Sequence, residues 1–345
     1  MARRGAGSFR DRKCVVSRLK DTFGRTIDDL RISLTDRCNF RCIYCMPAEG
    51  LPWLPRREIL TYEEILRLAR IFIGLGIHTI RLTGGEPLMR QDVEVLIAGL
   101  VRLDATLDLS MTTNGFFLVE KVQRLADAGL KRINVSLDSL RPERFERMVR
   151  RDGRLVSKIL AGIRLAREAG LNPIKLNCVI MRGYNGDEIA EFARLAREQD
   201  VQVRFIEYMP LDAQGRWTMD TVVPGAEIHA RVHAVYPLRS EQGNGSEPAT
   251  VHHFADGRGS IGIIASVSQP FCDSCNRVRI TADGHLRTCL FSLTEHDLKG
   301  LLRSGASDEE LADFIIATVW KKEAGHKINQ PDFVKPDRSM SAIGG

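Results

Sequence analysis

Apolar and polar positions in this chain alternate between two periods. From residue 30 to about 206, short β-branched or apolar runs, Leu30–Leu34, Ile77–Leu82, Leu107–Thr112, Arg132–Leu137, Ile174–Ile180 and Val201–Ile206, read as strands. Between them lie longer segments, Tyr62–Gly74, Asp92–Leu103, Val119–Ala128, Leu155–Ala169 and Asp187–Glu198, with the 3.6-residue repeat of helices that bury one face. Leu66, Ala69, Arg70 and Ile73 illustrate that mixed stripe, and Gly129 and Gly170 stand where helix C-termini favour a left-handed residue. Repeated strand–helix units predict a parallel sheet, curled into a barrel or left open and doubly wound. In either form, ligands sit at the carboxyl ends of the strands. Each predicted strand ends in or leads to a chemically distinctive group: a cysteine cluster, Thr83–Pro87 (TGGEP), Thr112–Gly115 (TTNG), Ser136, Lys175, and the stretch Arg204–Met209. Past Gly225 the pattern breaks down. Gly243, Gly245 and Pro248 read as a turn-rich linker, with a domain boundary near residue 240. Two short strands and helical segments at Thr294–Leu302 and Asp308–Lys322 follow.

Composition narrows the class. With 345 residues, 43% hydrophobic and 27% charged, the chain can bury a sizeable core, and its length suits two domains. The longest uncharged run, Gly259–Cys272, is rich in Ser and Gly and short of the roughly 18 apolar residues of a membrane span. The net charge of +6 is carried by residues 1–20, where Arg3, Arg4, Arg10, Arg12, Lys13, Arg18 and Lys20 face only Asp11. Such a tail reads as a solvated, disordered extension, and without an apolar signal run a reducing cytoplasm is expected.

In that compartment, closely spaced cysteines point to metal or catalysis rather than to bridges. Cys38, Cys42 and Cys45 are spaced C-x3-C-x2-C directly after a strand; Cys272, Cys275 and Cys289 are spaced C-x2-C-x13-C. Three thiolates on a short loop can hold three irons of a cubane cluster and leave the fourth open for chemistry; a zinc site completed by a distant residue is the competing reading. Cys14 reads as a tail thiol and Cys178 as a small core residue.

The segment Cys38-Asn39-Phe40-Arg41-Cys42-Ile43-Tyr44-Cys45 resembles the signature of the radical S-adenosylmethionine (SAM) superfamily, and Thr83-Gly84-Gly85-Glu86-Pro87 resembles its GGEP motif. The second triad, in FCDSCNRVRITADGHLRTCL, resembles the C-terminal cluster motif of the GTP 3′,8-cyclase family, which opens molybdenum-cofactor biosynthesis. This likeness runs from about Asp28 to the end, where Gly344-Gly345 matches the family's Gly-Gly tail.

The resemblance implies an α/β fold: an incomplete (β/α)6 parallel barrel over residues 28–240, preceded by a basic extension (1–27), with a smaller α+β module over 241–345. It implies two 4Fe-4S clusters, on Cys38, Cys42 and Cys45 and on Cys272, Cys275 and Cys289, the second open to the guanine base. SAM would be met by Tyr44, Gly85, Ser136 and Met209, and GTP by Arg31, Arg81, Thr112, Lys175, Arg204, Arg277 and Arg279. Gly344 and Gly345 would thread into the catalytic cavity. The implied chemistry is abstraction of the ribose 3′ hydrogen by a 5′-deoxyadenosyl radical, attack of C3′ on guanine C8, and reduction to 3′,8-cyclo-7,8-dihydro-GTP. Implied partners are a one-electron donor such as flavodoxin or ferredoxin and the downstream cyclic pyranopterin monophosphate synthase; homodimerisation is left open, and neither membrane nor nucleic acid is expected.

The residues support this on physical grounds. A nucleoside triphosphate carries about four negative charges and calls for several fixed cations. Arg31 and Arg81 stand in apolar strands, where an unpaired charge is costly. Many relatives carry Lys where this chain has Thr79, which removes one candidate phosphate contact. Asn114 and Asp138 read as strand-end caps, and His252 and His253 as surface strand residues. Two rivals remain at this stage: another radical SAM enzyme with an auxiliary cluster, of the peptide-modifying or sulfatase-maturing kind, which usually has more C-terminal cysteines than three; and a zinc-stabilised RNA-binding protein using the basic tail.

Overall fold

The computed structural model describes residues 18–240 and 246–344. The extension's residues 1–17 with Cys14, the linker glycines Gly243 and Gly245, and Gly345 lie outside them. Six strands expected from the alternating pattern form, each within two residues of its expected bounds: β1 (Asp29–Ser33), β2 (Thr79–Thr83), β3 (Asp108–Thr113), β4 (Arg132–Ser136), β5 (Ile174–Ile180) and β6 (Gln202–Glu207). The helices connecting them are α1 (Tyr62–Gly74), α2 (Val93–Leu103), α3 (Leu118–Asp127), α4 (Pro142–Val149), α5 (Leu155–Glu168) and α6 (Ile189–Gln199). Thr61 caps α1 by accepting from the Glu64 amide while the Glu64 carboxylate accepts from the Thr61 amide. The helix buries Ile65, Leu68, Ala69 and Phe72; the apolar face is therefore rotated by about one residue from the expected stripe, leaving Arg70 in solvent.

Alternation along the strands explains both faces of the sheet. Leu30 and Ile32 of β1, Ile80 and Leu82 of β2, Leu109 and Met111 of β3 and Ile133 and Val135 of β4 belong to one core with Phe72, Leu96, Leu125 and Ile159 of the helices. Each such side chain contributes roughly 1.5–3 kcal/mol on burial. The intervening positions, Arg31, Arg81, Ser110, Thr112 and Asn134, point to the opposite, inner face.

Beyond Glu207 the chain is more ordered than its pattern suggested. α7 (Gly225–Val235) forms where the periodicity breaks down, followed by β7 (Leu238–Ser240), β8 (Thr250–Phe254), β9 (Ser260–Ile264), β10 (Arg277–Ile280), β11 (His285–Arg287), β12 (His296–Asp297), α8 (Leu298–Arg303), α9 (Asp308–Trp320) and α10 (Met340–Ile343). All twelve strands join one sheet, ordered β12-β11-β10-β1-β2-β3-β4-β5-β6-β9-β8-β7. β10 pairs parallel with β1 and β9 parallel with β6, so the incomplete barrel is flanked on both sides by strands of the C-terminal segment. The expected boundary near residue 240 falls at β7, in an antiparallel ribbon with β8 and β9.

Two local expectations are corrected. Residues 18–27, taken with the disordered extension, are packed: Leu19 and Ile27 are buried, and Arg25 is held by Asp21 at 2.5 Å and by the carbonyls of Cys272, Glu323 and Ala324. His252, read as a surface residue, is buried beside His229 of α7, because that unforeseen helix packs close to β8. Cys178 is buried in the core as expected.

Candidate active site

Both cysteine triads face one cavity of about 300 Å³ at the carboxyl ends of the strands. Its wall contains all six of those cysteines with Tyr44, Gly85, Ser136, Met209, Arg31, Arg81, Thr112, Arg204, Arg277 and Arg279. Of the remaining expected site residues, Lys175 is buried just outside the wall, Gly344 reaches it through Arg279, and Gly345 lies outside the described residues.

Strand register builds the cationic part. Arg279 of β10 stands opposite Arg31 of β1, Arg31 opposite Arg81 of β2, and Arg81 opposite Ser110 of β3. Three guanidinium groups thus occupy adjacent inward positions on neighbouring strands. Burial, then the neighbouring Arg279 and Arg81, holds Arg31 well below the usual arginine range, and its buried Nε has no hydrogen-bond partner. Burial and then Arg277 bring Arg279 down to about 10. Further round the barrel, burial and Arg204 lower Lys175 to about 8. Glu247 lies 4.0 Å from the Lys175 ammonium and 3.3 Å from the Arg204 guanidinium. Like charges crowded on a dry surface are costly, and a polyanion relieves that cost.

The first triad is stitched into the barrel. The Gly85 amide donates to Thr35 O and the Glu86 amide to Arg37 O, each at 2.7 Å. A Cβ on Gly85 would sit 2.3 Å from Arg37 O, which is why that position takes glycine. Glu86 is fully buried and accepts from Leu88 N, Thr113 Oγ1 and Asn114 N; burial lifts its carboxyl to about 7. Asn114 in turn donates to Asn39 Oδ1 at 2.8 Å and approaches Cys38 Sγ at 3.9 Å. Tyr44 donates to Asp138 Oδ2 at 2.7 Å, Val179 N donates to Asp138 Oδ1, and burial lifts Asp138 to about 6. Asn114 and Asp138, read from sequence as caps, therefore line the cavity and position the first loop. Their place directly after strands was the available signal.

The second triad brackets the β10–β11 hairpin, with Cys272 and Cys275 in the turn before β10 and Cys289 just after β11. Arg25 Nη1 donates to Cys272 O at 2.7 Å, and the buried Lys322 ammonium donates to Arg277 O at 3.0 Å and to Thr288 O, next to Cys289. Burial pushes the Cys275 thiol up, but Arg277 and Lys322 outweigh it and bring the thiol down to about 7. In the first triad burial dominates, lifting Cys38 to about 11 and Cys45 to about 12. Lys322 and Arg25 were not singled out from sequence; nothing in their spacing ties them to the cysteines.

The tail enters between the two. Ser341 hydrogen-bonds Cys45, and Arg279 Nη1 donates to Gly344 O at 2.8 Å. Gly344 has φ +87°, and a Cβ there would lie 2.6 Å from Ser33 Cβ and 3.0 Å from Thr83 Oγ1. Ser33 and Thr83 pair in register one inward step beyond Arg31 and Arg81, so the tail glycine sits directly above the arginine row.

The donor sets suit iron–sulfur clusters. Each triad offers three free thiols, with the Phe40 amide donating to Cys38 Sγ and the Phe291 amide to Cys289 Sγ. No described helix is long and apolar enough to cross a membrane.

This fold is that of a radical SAM protein. The family model described as Radical SAM superfamily matches residues 32–196, and that described as Molybdenum Cofactor Synthesis C matches 201–328. The backbone is similar to that of Streptococcus suis SuiB in its crystal structure bound to S-adenosylmethionine, with TM-score 0.60 at 15% identity over 91% of this chain and 76% of that one. Two curated relatives, from Streptomyces coelicolor and Paenarthrobacter nicotinovorans, both GTP 3′,8-cyclases, are 47% identical over 95% of this chain and 96% and 97% of theirs. A third GTP 3′,8-cyclase, from Mycolicibacterium smegmatis, is 46% identical, again over 95% of this chain and 92% of its own. The chain belongs to the GTP 3′,8-cyclase family, a group of radical SAM enzymes.

Proposed function

We propose that this chain converts GTP to 3′,8-cyclo-7,8-dihydro-GTP, the opening step of molybdenum-cofactor biosynthesis, in the cavity between the two triads. The observation that carries this reading is the in-register row Arg279–Arg31–Arg81 between two three-cysteine loops, three guanidinium groups with the Asp29 carboxylate as their nearby opposite charge. Those guanidinium groups, with Lys175 and Arg204, hold the triphosphate, and Arg277, beside Cys275, holds the substrate near the second triad. Thr112 stands on the same inner face, next to Asn134 of β4. Tyr44, Gly85, Ser136 and Met209 shape the SAM side, where Asp138 fixes the Tyr44 ring. When bound, the cluster on Cys38, Cys42 and Cys45 and SAM together supply one-electron cleavage and hydrogen abstraction. The residues of the chain fix the ribose relative to that chemistry and keep water away. Gly344 closes the cavity with main-chain atoms alone.

A one-electron carrier of the flavodoxin or ferredoxin type, a cytoplasmic location and hand-over of product to cyclic pyranopterin monophosphate synthase complete the reading. The test is anaerobic reconstitution followed by turnover with SAM, dithionite and GTP. About eight irons per chain, from two four-iron clusters, and GTP-dependent 5′-deoxyadenosine with a cyclised nucleotide are expected. SAM cleavage without a GTP product would send the assignment to a peptide-modifying reaction.

A further inference from the structure

The segment that brings Gly344 into the cavity is fastened at two points to the hairpin of the second triad. At its inner end Arg279 of β10 donates to Gly344 O at 2.8 Å. At its outer end Arg338 donates to Asp283 in the β10–β11 turn, Nη1 to Oδ1 at 2.9 Å and Nη2 to Oδ2 at 2.8 Å, and Nη2 also lies 2.7 Å from Glu295 Oε2. Asp283 is itself held: Thr281 Oγ1 donates to Oδ1 at 2.6 Å, and His285 Nδ1 is 3.2 Å from Oδ2. Glu295 also pairs with Arg287 of β11, two residues before Cys289.

Arg338 exposes 26% of its side chain, Asp283 11% and Glu295 20%, so this is not the solvated kind of ion pair that contributes little. Two parallel N–H···O bonds also fix a direction, which a single point charge does not. Lys327 and Asp332, earlier in the same segment, pair with more than half of each side chain in solvent. Between the two fastenings runs α10, a single turn whose Met340 and Ser341 line the cavity, while Arg338 is not part of the wall. Bonds inside the turn, from Ile343 N to Ser339 O and from Gly344 N to Met340 O, hold its shape but not its place. Lys335 on Asp212 O and the Met340 amide on Leu211 O brace it from the barrel side, and Arg338 ties its outer end to the hairpin that bears the second triad. Place matters because a slip of one residue would rotate the turn by about 100° and carry Ser341 away from Cys45.

We propose that Arg338 is a positioning residue for the reaction: gripped by Asp283 and Glu295, it sets the register in which the tail enters the cavity and thereby delivers Gly344 to Arg279. The effect on turnover rests on the functional reading above; the seating of the tail does not. Because the grip is on the hairpin between Cys275 and Cys289, the tail and the second triad are seated as one unit.

The experiment compares the reconstituted protein with its Arg338→Gln, Arg338→Lys and Lys327→Gln variants by hydrogen–deuterium exchange and by turnover with SAM, dithionite and GTP. Arg338→Gln is expected to lose protection over residues 339–344 and to keep it over β10 and β11, with iron content unchanged. Its cyclised product should form about 100-fold more slowly, kcat falling while KM for GTP stays near the parent's, since a misplacement of about 1 Å suffices for such a loss. Arg338→Lys, which keeps the charge and loses the fork, should recover part of both, and Lys327→Gln should match the parent. Tail protection and turnover equal to the parent's in Arg338→Gln would overturn the proposal. Loss of protection over β10 as well would also overturn it, since Arg338 would then support the hairpin, and so would an unprotected tail with full turnover. A parent that forms no cyclised GTP would count against the functional reading, with tail protection in Arg338→Gln then deciding the seating by itself.

Discussion

The two cysteine triads are built from the same three thiols yet stand in opposite electrostatic settings. Around Cys38, Cys42 and Cys45 the buried ionisable neighbours are the carboxyl groups of Glu86 and Asp138, and burial drives the thiols up. Around Cys272, Cys275 and Cys289 the cations Arg25, Arg277 and Lys322 stand with the Glu323 carboxylate; burial still lifts Cys272 and Cys289, but Cys275 is drawn down to about 7 despite its burial. Adding an electron adds negative charge, so the second setting favours reduction and the first resists it. The contrast predicts a division of labour, with a more strongly reducing cluster on the first triad than on the second.

Removing one ligand from each triad tests the comparison most severely. Cys42→Ala is expected to abolish SAM cleavage. Cys275→Ala is expected to lower iron to about four per chain, retain dithionite-driven SAM cleavage and lose the nucleotide product. Iron analysis and 5′-deoxyadenosine assay read both; SAM cleavage lost equally in the two variants would end the division.

Next in size is Arg31→Met. It removes a half-buried charge crowded by Arg279, Arg81 and Arg277 and only partly offset by Asp29, so the variant should be more stable by about 1 kcal/mol in denaturant unfolding while binding GTP about 10- to 100-fold more weakly. A destabilised variant with unchanged affinity would show that the arginine row is structural.

Lys322→Met sharpens the comparison itself. Loss of the ammonium should lower the potential of the second cluster and leave the first unchanged in an EPR-monitored redox titration. Two uncapped carbonyls cost about 1–3 kcal/mol of stability. An unaltered gap between the two potentials would mean that the cations do not set it.

The smallest effect concerns Lys175. Its pKa in the free protein is lowered to about 8, so above that pH a bound polyanion must draw a proton back onto the amine. GTP affinity should fall as pH rises through about 8, by up to about tenfold per unit, and Lys175→Arg should remove the step in calorimetric titrations. Glu247→Gln, which frees Lys175 and Arg204 from a competing carboxylate, should tighten binding a few-fold.

The strands and α1 were legible because their buried faces follow a simple period, and the six cysteines because iron chemistry demands a tight spacing. α4 escaped: only Phe145, Met148 and Val149 of its eight residues are buried, so its stripe is short among charges. α7 escaped because it starts at Gly225, directly after its N-cap Pro224, where the regular strand–helix pattern stops. Only two short strands were expected past residue 240; the number and pairing of the C-terminal strands escaped because they are two to five residues long and take their shape from neighbours far away in sequence. Asn114 and Asp138 were visible as residues but not as parts of the site, since a strand-end side chain shows its role only when the loop it faces is in place. Lys322 and Arg25 act through carbonyls of distant segments, a contact no local pattern encodes.

The pairing of β10 with β1 has a consequence for how the molecule is made. Asp29 and Arg277 are register partners, so the N-terminal strand of the barrel emerges from the ribosome long before the neighbour that covers it. Until then β1 has one open edge, a template for pairing with other chains, and contacts of such long range form slowly. Chains truncated before β10 are therefore expected to aggregate more readily than the full chain, in which that edge is covered.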